Sequence, residues 1–184
     1  SSWTNGNSFT EGRSALACFG AQTHAVIAGG ADPSIVNSIE EYDGTNWTTS
    51  PGTLAQPTRS ARGTGTQTAG IFASGSTGDP PTKLSQSYTY NGTCVAATNS
   101  LPAARDNALA GGTSQTSMLL YGGDNGGVQS NTYSWDGSCW TAVNSLNTAG
   151  YNGAGTFSSS TSTLKVATSW PSVEPTEQWD GTCW

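Results

Sequence analysis

Charge and histidine are both scarce in this chain. Of its 184 residues only 10% are charged, six basic against twelve acidic, for a formal net charge of −6. Two lysines (Lys83, Lys165) and four arginines (Arg13, Arg59, Arg62, Arg105) are too few for the basic stripe that neutralises phosphates. No nucleic-acid partner is expected, and the same shortage argues against an anionic membrane surface. One histidine, His24, and four cysteines without a CxxC pair leave no Cys/His metal set, so no metal and no cofactor are expected. Long apolar runs are missing too. None approaches the roughly 18 residues of a spanning helix, so no membrane insertion is expected. The chain opens Ser1-Ser2-Trp3, which reads as a chain whose leader has been removed or as a piece of something longer.

What is abundant is small and polar. Gly contributes 24 residues, and Ser and Thr together exceed a quarter of the chain. All three are poor helix-interior residues, so the composition points to short strands and tight turns. Seven Trp, six Tyr and four Phe supply the burial that a disordered chain lacks.

The strongest signal is self-similarity. Tyr42-Asp-Gly-Thr-Asn-Trp47, Tyr90-Asn-Gly-Thr-Cys-Val95, Trp135-Asp-Gly-Ser-Cys-Trp140 and Trp179-Asp-Gly-Thr-Cys-Trp184 follow one another with their last positions 48, 45 and 44 residues apart. Trp3 lies 44 residues before Trp47, in the same phase. Upstream of each motif sits an apolar run closed by small residues: Ala25–Gly30, Gly70–Gly75, Leu119–Gly123 and Leu164–Ser169. A further shared turn precedes three of them, at Gln22, Gln67 and Gln115. Each unit therefore reads as four strands: small-residue A, apolar B, aromatic C and Trp-led D, the last two joined by an Asp-Gly or Asn-Gly hairpin turn. The units span about 4–47, 48–95, 96–140 and 141–184, with residues 1–3 in strand D phase.

Four antiparallel strands in about 45 residues is the size of a propeller blade. The apolar strand closed by Gly-Gly, then an aromatic, then a Trp, resembles kelch-type β-propellers, and the likeness covers essentially the whole chain. Two units keep Gly-Gly; Ser74-Gly75 and Thr168-Ser169 replace it elsewhere, and Val95 replaces a Trp. The repeats look closest to the Gly/Thr/Asn-rich arrays of secreted bacterial proteins and tailed-phage fibres. The expected fold is all-β: a single four-bladed propeller over 1–184. Its narrow axis would be lined by Ala15, Ala17, Gly63, Gly65, Gly111, Gly112, Gly153 and Gly155. An open solenoid of hairpins is the structural alternative.

No convergent set of catalytic groups appears, so no enzyme activity is expected. His24 opens strand B without an evident partner. Copper chemistry of the kind some kelch-like oxidases perform would need several histidines. Asp43, Asp136 and Asp180 suit a calcium ring or a glycosidase on paper, but Asp beside Gly is what the turn itself requires. The acids Glu40, Glu41, Glu174 and Glu177 are expected at solvated strand edges. The resemblance implies that Trp3, Trp47, Trp140 and Trp184 pack between blades. The alternative is sugar stacking. Trp170 breaks the phase in a B–C loop and is the candidate surface contact, since recognition concentrates in loops on rigid scaffolds. Asn46 and Asn91 head sequons and are candidate glycosylation sites. Cys94, Cys139 and Cys183 share one phase and Cys18 lies late in strand A. They are candidates for disulfides or free thiols, with no pairing indicated.

The functional expectation is a non-enzymatic structural or adhesive subunit of an extracellular fibre, surface appendage or virion, forming a homo-oligomer or filament. The alternative is a secreted lectin-like module that binds glycans. The last unit has strands A, B and C but almost no D. Residues 1–6 are in phase to supply it, closing the ring within one chain or, by exchange, completing a neighbouring copy.

Overall fold

The computed structural model describes residues 5–156, 159–166 and 175–184. Among them every regular element is a β-strand, and four antiparallel sheets follow one another along the chain, one in each repeat. The first holds β1 (Ala17–Ala21), β2 (His24–Ala28), β3 (Ser38–Tyr42) and β4 (Trp47–Thr53) in that order. The second holds β5 (Arg62–Thr66), β6 (Ala69–Ala73), β9 (Ser87–Tyr90) and β10 (Val95–Thr98). A small hairpin of β7 (Ser76–Thr77) and β8 (Thr82–Lys83) is inserted between its second and third strands and makes a fifth sheet. The third comprises β11 (Leu109–Ser114), β12 (Ser117–Tyr121), β13 (Thr132–Trp135) and β14 (Trp140–Val143). The last has three strands, β15 (Ala154–Gly155), β16 (Thr163–Val166) and β17 (Glu177–Trp179).

The A-to-D strand order of the repeats is thus present in three sheets, and the last sheet has three strands among the described residues. Two small residues read as part of strand A, Ala15 and Gly153, precede β1 and β15. Cys18 is the second residue of β1, not a late one. The turns between the third and fourth strands form because Asp or Asn caps the backbone. Asp136 Oδ1 accepts from the N–H groups of Ser138 and Cys139 at 2.8 Å each, while Gly137 takes a φ of 99° that an L side chain resists.

Side chains alternate between the two faces of each strand, so each sheet can pack on the one before it and the one after it. Three clusters fill these junctions. Ala17, Phe19, Val26 and Ile39 meet Phe72, Tyr88 and Tyr90; Ile71 and Ala73 meet Met118, Leu120, Tyr133 and Trp135; Leu119, Tyr121 and Leu146 meet Trp179. Small residues permit the close approach: a Cβ on Gly70 would lie 2.2 Å from the Phe19 ring. The first strands of the sheets form a series, β1 on β5, β5 on β11 and β11 on β15. No comparable packing joins β15 back to β1 among the described residues.

Glu40, Glu41 and Glu177 are not solvated as expected. Glu40 is buried against Arg13 at 2.7 Å and accepts from the Thr10 N–H; Glu177 is buried against Lys165 at 3.0 Å and accepts from the N–H groups of Asn147 and Thr148. Half-buried Glu41 accepts from the Tyr90 hydroxyl at 2.8 Å. In each case chain from outside the strand covers the carboxylate and supplies its donors. Glu174 lies outside the described residues.

Candidate functional site

The repeated third-to-fourth-strand turns gather most of the polar residues singled out in the sequence. At all four, one side-chain oxygen caps two backbone N–H groups: Asp43 those of Thr45 and Asn46, Asn91 those of Thr93 and Cys94, Asp136 those of Ser138 and Cys139, Asp180 those of Thr182 and Cys183. These bonds hold the carboxyls of Asp43, Asp136 and Asp180 below the usual carboxylate range. The acids are committed to the turns. No group of three or more metal-ligating side chains converges among the described residues.

All four cysteines, Cys18, Cys94, Cys139 and Cys183, are free and exposed. The thiols of Cys139 and Cys183 lie 3.6 Å from Asp136 Oδ2 and Asp180 Oδ2, and the neighbouring carboxylate pushes each thiol pKa upward. They are poor nucleophiles, because the thiolate is disfavoured there. His24 is exposed at the start of β2, with Nδ1 3.1 Å from Thr23 Oγ1 and no carboxylate bonded to it among the described residues. Asn46 and Asn91 are both exposed; the Asn46 side chain accepts from Asn7 Nδ2 at 2.9 Å.

Two of the phased tryptophans, Trp140 and Trp184, bind junctions between sheets. Trp140 Nε1 donates to Ser87 Oγ of the preceding sheet, and Trp184 Nε1 donates to Thr132 Oγ1 of the sheet before it, each at 3.0 Å. Trp47 stacks near Tyr42, centroids 5.0 Å apart, and meets Phe9 edge-on at 6.1 Å. Trp3 and Trp170 lie outside the described residues.

The contacts of two further residue sets went unread in the sequence although their phase was visible. Gln67 Nε2 donates to Tyr42 O, and Gln115 Nε2 to Gly70 O and Tyr90 O, so the turn glutamines grip the preceding sheet. Asn99 Nδ2 donates to Ser138 O and Asn144 Nδ2 to Thr182 O, each from four residues after the phased Val95 or Trp140. Asn7, four residues after Trp3, donates instead to the Asn46 side-chain oxygen in the equivalent turn of the first sheet. Val95 is partly buried against the cluster containing Ile39, where the other junctions place a Trp on Ser or Thr.

Clefts open on the described surface at the strand ends and beside the first sheet. A cleft of about 620 Å³, mostly apolar, lies at the ends of β1, β2, β5 and β11, with Cys18, Phe19, Ala25 and Thr64 among its walls. A polar cleft of about 450 Å³ lies between the segment before β1 and the first sheet, lined by Asn5, Asn7, Gln22, Thr23 and Tyr42. Cys18 and His24 both line the first cleft, and no hydrogen bond joins them among the described residues.

No protein-family model and no curated protein matches the sequence. Among solved structures 145 chains match in fold. One, titled "Structure of YjhT", superposes with a TM-score of 0.75 at 10% identity, covering 90% of this chain. The chain spans 62% of that structure's length. At such low identity the likeness shows the fold alone: an all-β arrangement of successive antiparallel sheets.

Proposed function

We propose that the chain is a non-enzymatic structural or adhesive subunit of an extracellular fibre, surface appendage or virion, built from four kelch-like blades. The observation that carries this reading is where the chemistry-bearing side chains are used. The turn acids cap backbone, the buried carboxylates meet Arg13 and Lys165, and the phased Trp and Gln side chains join one sheet to the next. These residues hold sheets together, and among the described residues the Cys18 and His24 side chains that line one cleft are not hydrogen-bonded to each other. The assembly class itself rests on fold-level analogy with the resemblance described above.

The finer form of this reading is a four-bladed propeller whose last blade is completed by residues 1–6. Its support is that Asn7 and Thr10 contact the first sheet as Asn144 and Asn147 contact the last, which is how chain leaving a fourth strand behaves elsewhere in the molecule. Against closure within one chain stands the absence of packing between β15 and β1 among the described residues.

A second reading, a lectin-like module, is favoured by the polar cleft, where amide and hydroxyl groups surround Tyr42. A glycan array probed with monomeric protein separates the two. The structural reading expects no retained sugar. Sugar binding that is lost in Tyr42→Ala would establish the lectin instead.

A further inference from the structure

The first and last sheets carry the two halves of a junction that the chain builds three times between its own sheets, and both halves lie open. Register defines the equivalent positions. Val26, Ile71 and Leu119 occupy one position and are wholly buried because a following sheet covers them; Leu164, the fourth in the set, is half-buried. Ala28, Ala73 and Tyr121 are buried at the next inward position, whereas Val166 is 37% exposed. The last sheet thus presents a face of the type that elsewhere forms core.

The matching groups are free at the other end. Among the described tryptophans, Trp47 is the one whose indole N–H has no acceptor. Thr176, in phase with the acceptors Ser87 and Thr132, is exposed and makes no side-chain hydrogen bond among the described residues. Gln22, in phase with Gln67 and Gln115, is likewise exposed and makes no side-chain hydrogen bond among the described residues. Cys18 is exposed where Gly63 and Ala110 are buried, and Tyr42 is half-covered where Tyr90, Trp135 and Trp179 are buried.

We propose that the open face of the last sheet docks on the open face of the first sheet of a second copy, repeating the internal junction. Thr176 of one copy accepts from Trp47 Nε1 of the next, Gln22 of the next donates to the Trp179 carbonyl, and Leu164 and Val166 are covered. The occupant is a second copy because these faces carry the same groups that already bind one sheet to another, while among the described residues no packing like that at the internal junctions joins β15 to β1. The contact is heterologous: every copy bears one half of each kind, so it propagates as a ring or a filament. This inference rests on the assembly reading and gives it a surface.

The test is sedimentation velocity under reducing conditions on the intact chain, on Val166→Glu, on Cys18→Glu, and on an equimolar mixture of the two variants. Both substitutions fall on exposed side chains, and circular dichroism checks folding. The intact chain is expected to self-associate with rising concentration, and each variant alone at least tenfold more weakly. The mixture is expected to form a 1:1 dimer and stop there, because it retains one intact half of each kind. Thr176→Val, which removes the acceptor at nearly constant shape, is expected to weaken association severalfold without changing the far-ultraviolet spectrum. A mixture that stays monomeric overturns the proposal, as does an intact chain that is monomeric throughout while Val166→Glu lowers its melting temperature, the signature of closure within one chain. Ordered assemblies that persist in both variants overturn the junction and leave the fibre reading standing. A 1:1 dimer with no ordered assembly of the intact chain supports the junction and removes the fibre reading.

Discussion

Trp140 Nε1 donates to Ser87 Oγ at 3.0 Å across the boundary between the second and third sheets, in a site where both side chains are buried. Trp184 and Thr132 repeat the bond one sheet later. At the remaining internal boundary Val95 and Ile39 replace both partners together, so no indole N–H is left without an acceptor there. Removing both polar groups costs little, whereas removing one strands the other.

Substitution at this boundary is therefore expected to be asymmetric. Trp140→Ala should cost about 3–5 kcal/mol through the lost burial of a large aromatic. Ser87→Ala should cost about 1–3 kcal/mol because it leaves the indole N–H buried and unpaired. Urea unfolding of the two single variants and the double variant measures the coupling. Additive effects in that cycle would show that the bond does not join the sheets.

The Lys165–Glu177 pair makes the last sheet acid-sensitive. Burial alone would raise the Glu177 carboxyl, but Lys165 and the N–H groups of Asn147 and Thr148 outweigh it and hold the pKa below the usual value. A depressed folded-state pKa contributes stability that is present above the unfolded value near about 4.3 and lost as pH falls through the folded one. Melting temperature should fall below about pH 4.3, and less steeply in Glu177→Gln. That variant should itself destabilise the fold at neutral pH, because it removes the charge that faces Lys165 Nζ at 3.0 Å in a buried pair. Equal acid sensitivity in the variant and the intact chain would assign the effect elsewhere.

At the alkaline end two tyrosines act in the same direction. Burial pushes Tyr90 and Tyr121 up to about 12. A phenol raised above its unfolded value near about 10 stabilises the fold below that pH, and the contribution disappears as pH climbs toward the folded value. Absorbance at the phenolate band should show these two tyrosines ionising together with unfolding. Their ionisation near pH 10 with the fold intact would contradict the burial described here.

Salt should matter little. The Arg13–Glu40 and Lys165–Glu177 pairs are buried, and the chain has few charges to screen. Melting at neutral pH should be nearly unchanged between low and moderate ionic strength. A sharp fall would assign the stability to exposed charges.

The strand order was legible because its signals are local: Asp136-Gly137 makes its turn within four residues, and Leu119–Tyr121 shows its apolar run directly. The roles of Glu40 and Glu177 were not, because Arg13 lies 27 residues from Glu40 and Lys165 comes from a neighbouring strand. The glutamine set was visible as a repeated turn, yet Gln115 acts on Gly70, 45 residues earlier, a contact that only the packing of sheets creates. Ring closure depends on the angle between successive sheets, and no local pattern of residues encodes that angle.

Electron microscopy of the intact protein across a concentration series tests the central claim, that this chain is an assembling structural subunit, most directly. The account predicts ordered rings or filaments of end-to-end copies that become more abundant with concentration. Single particles at every concentration, from a protein that also retains a sugar ligand, would contradict it.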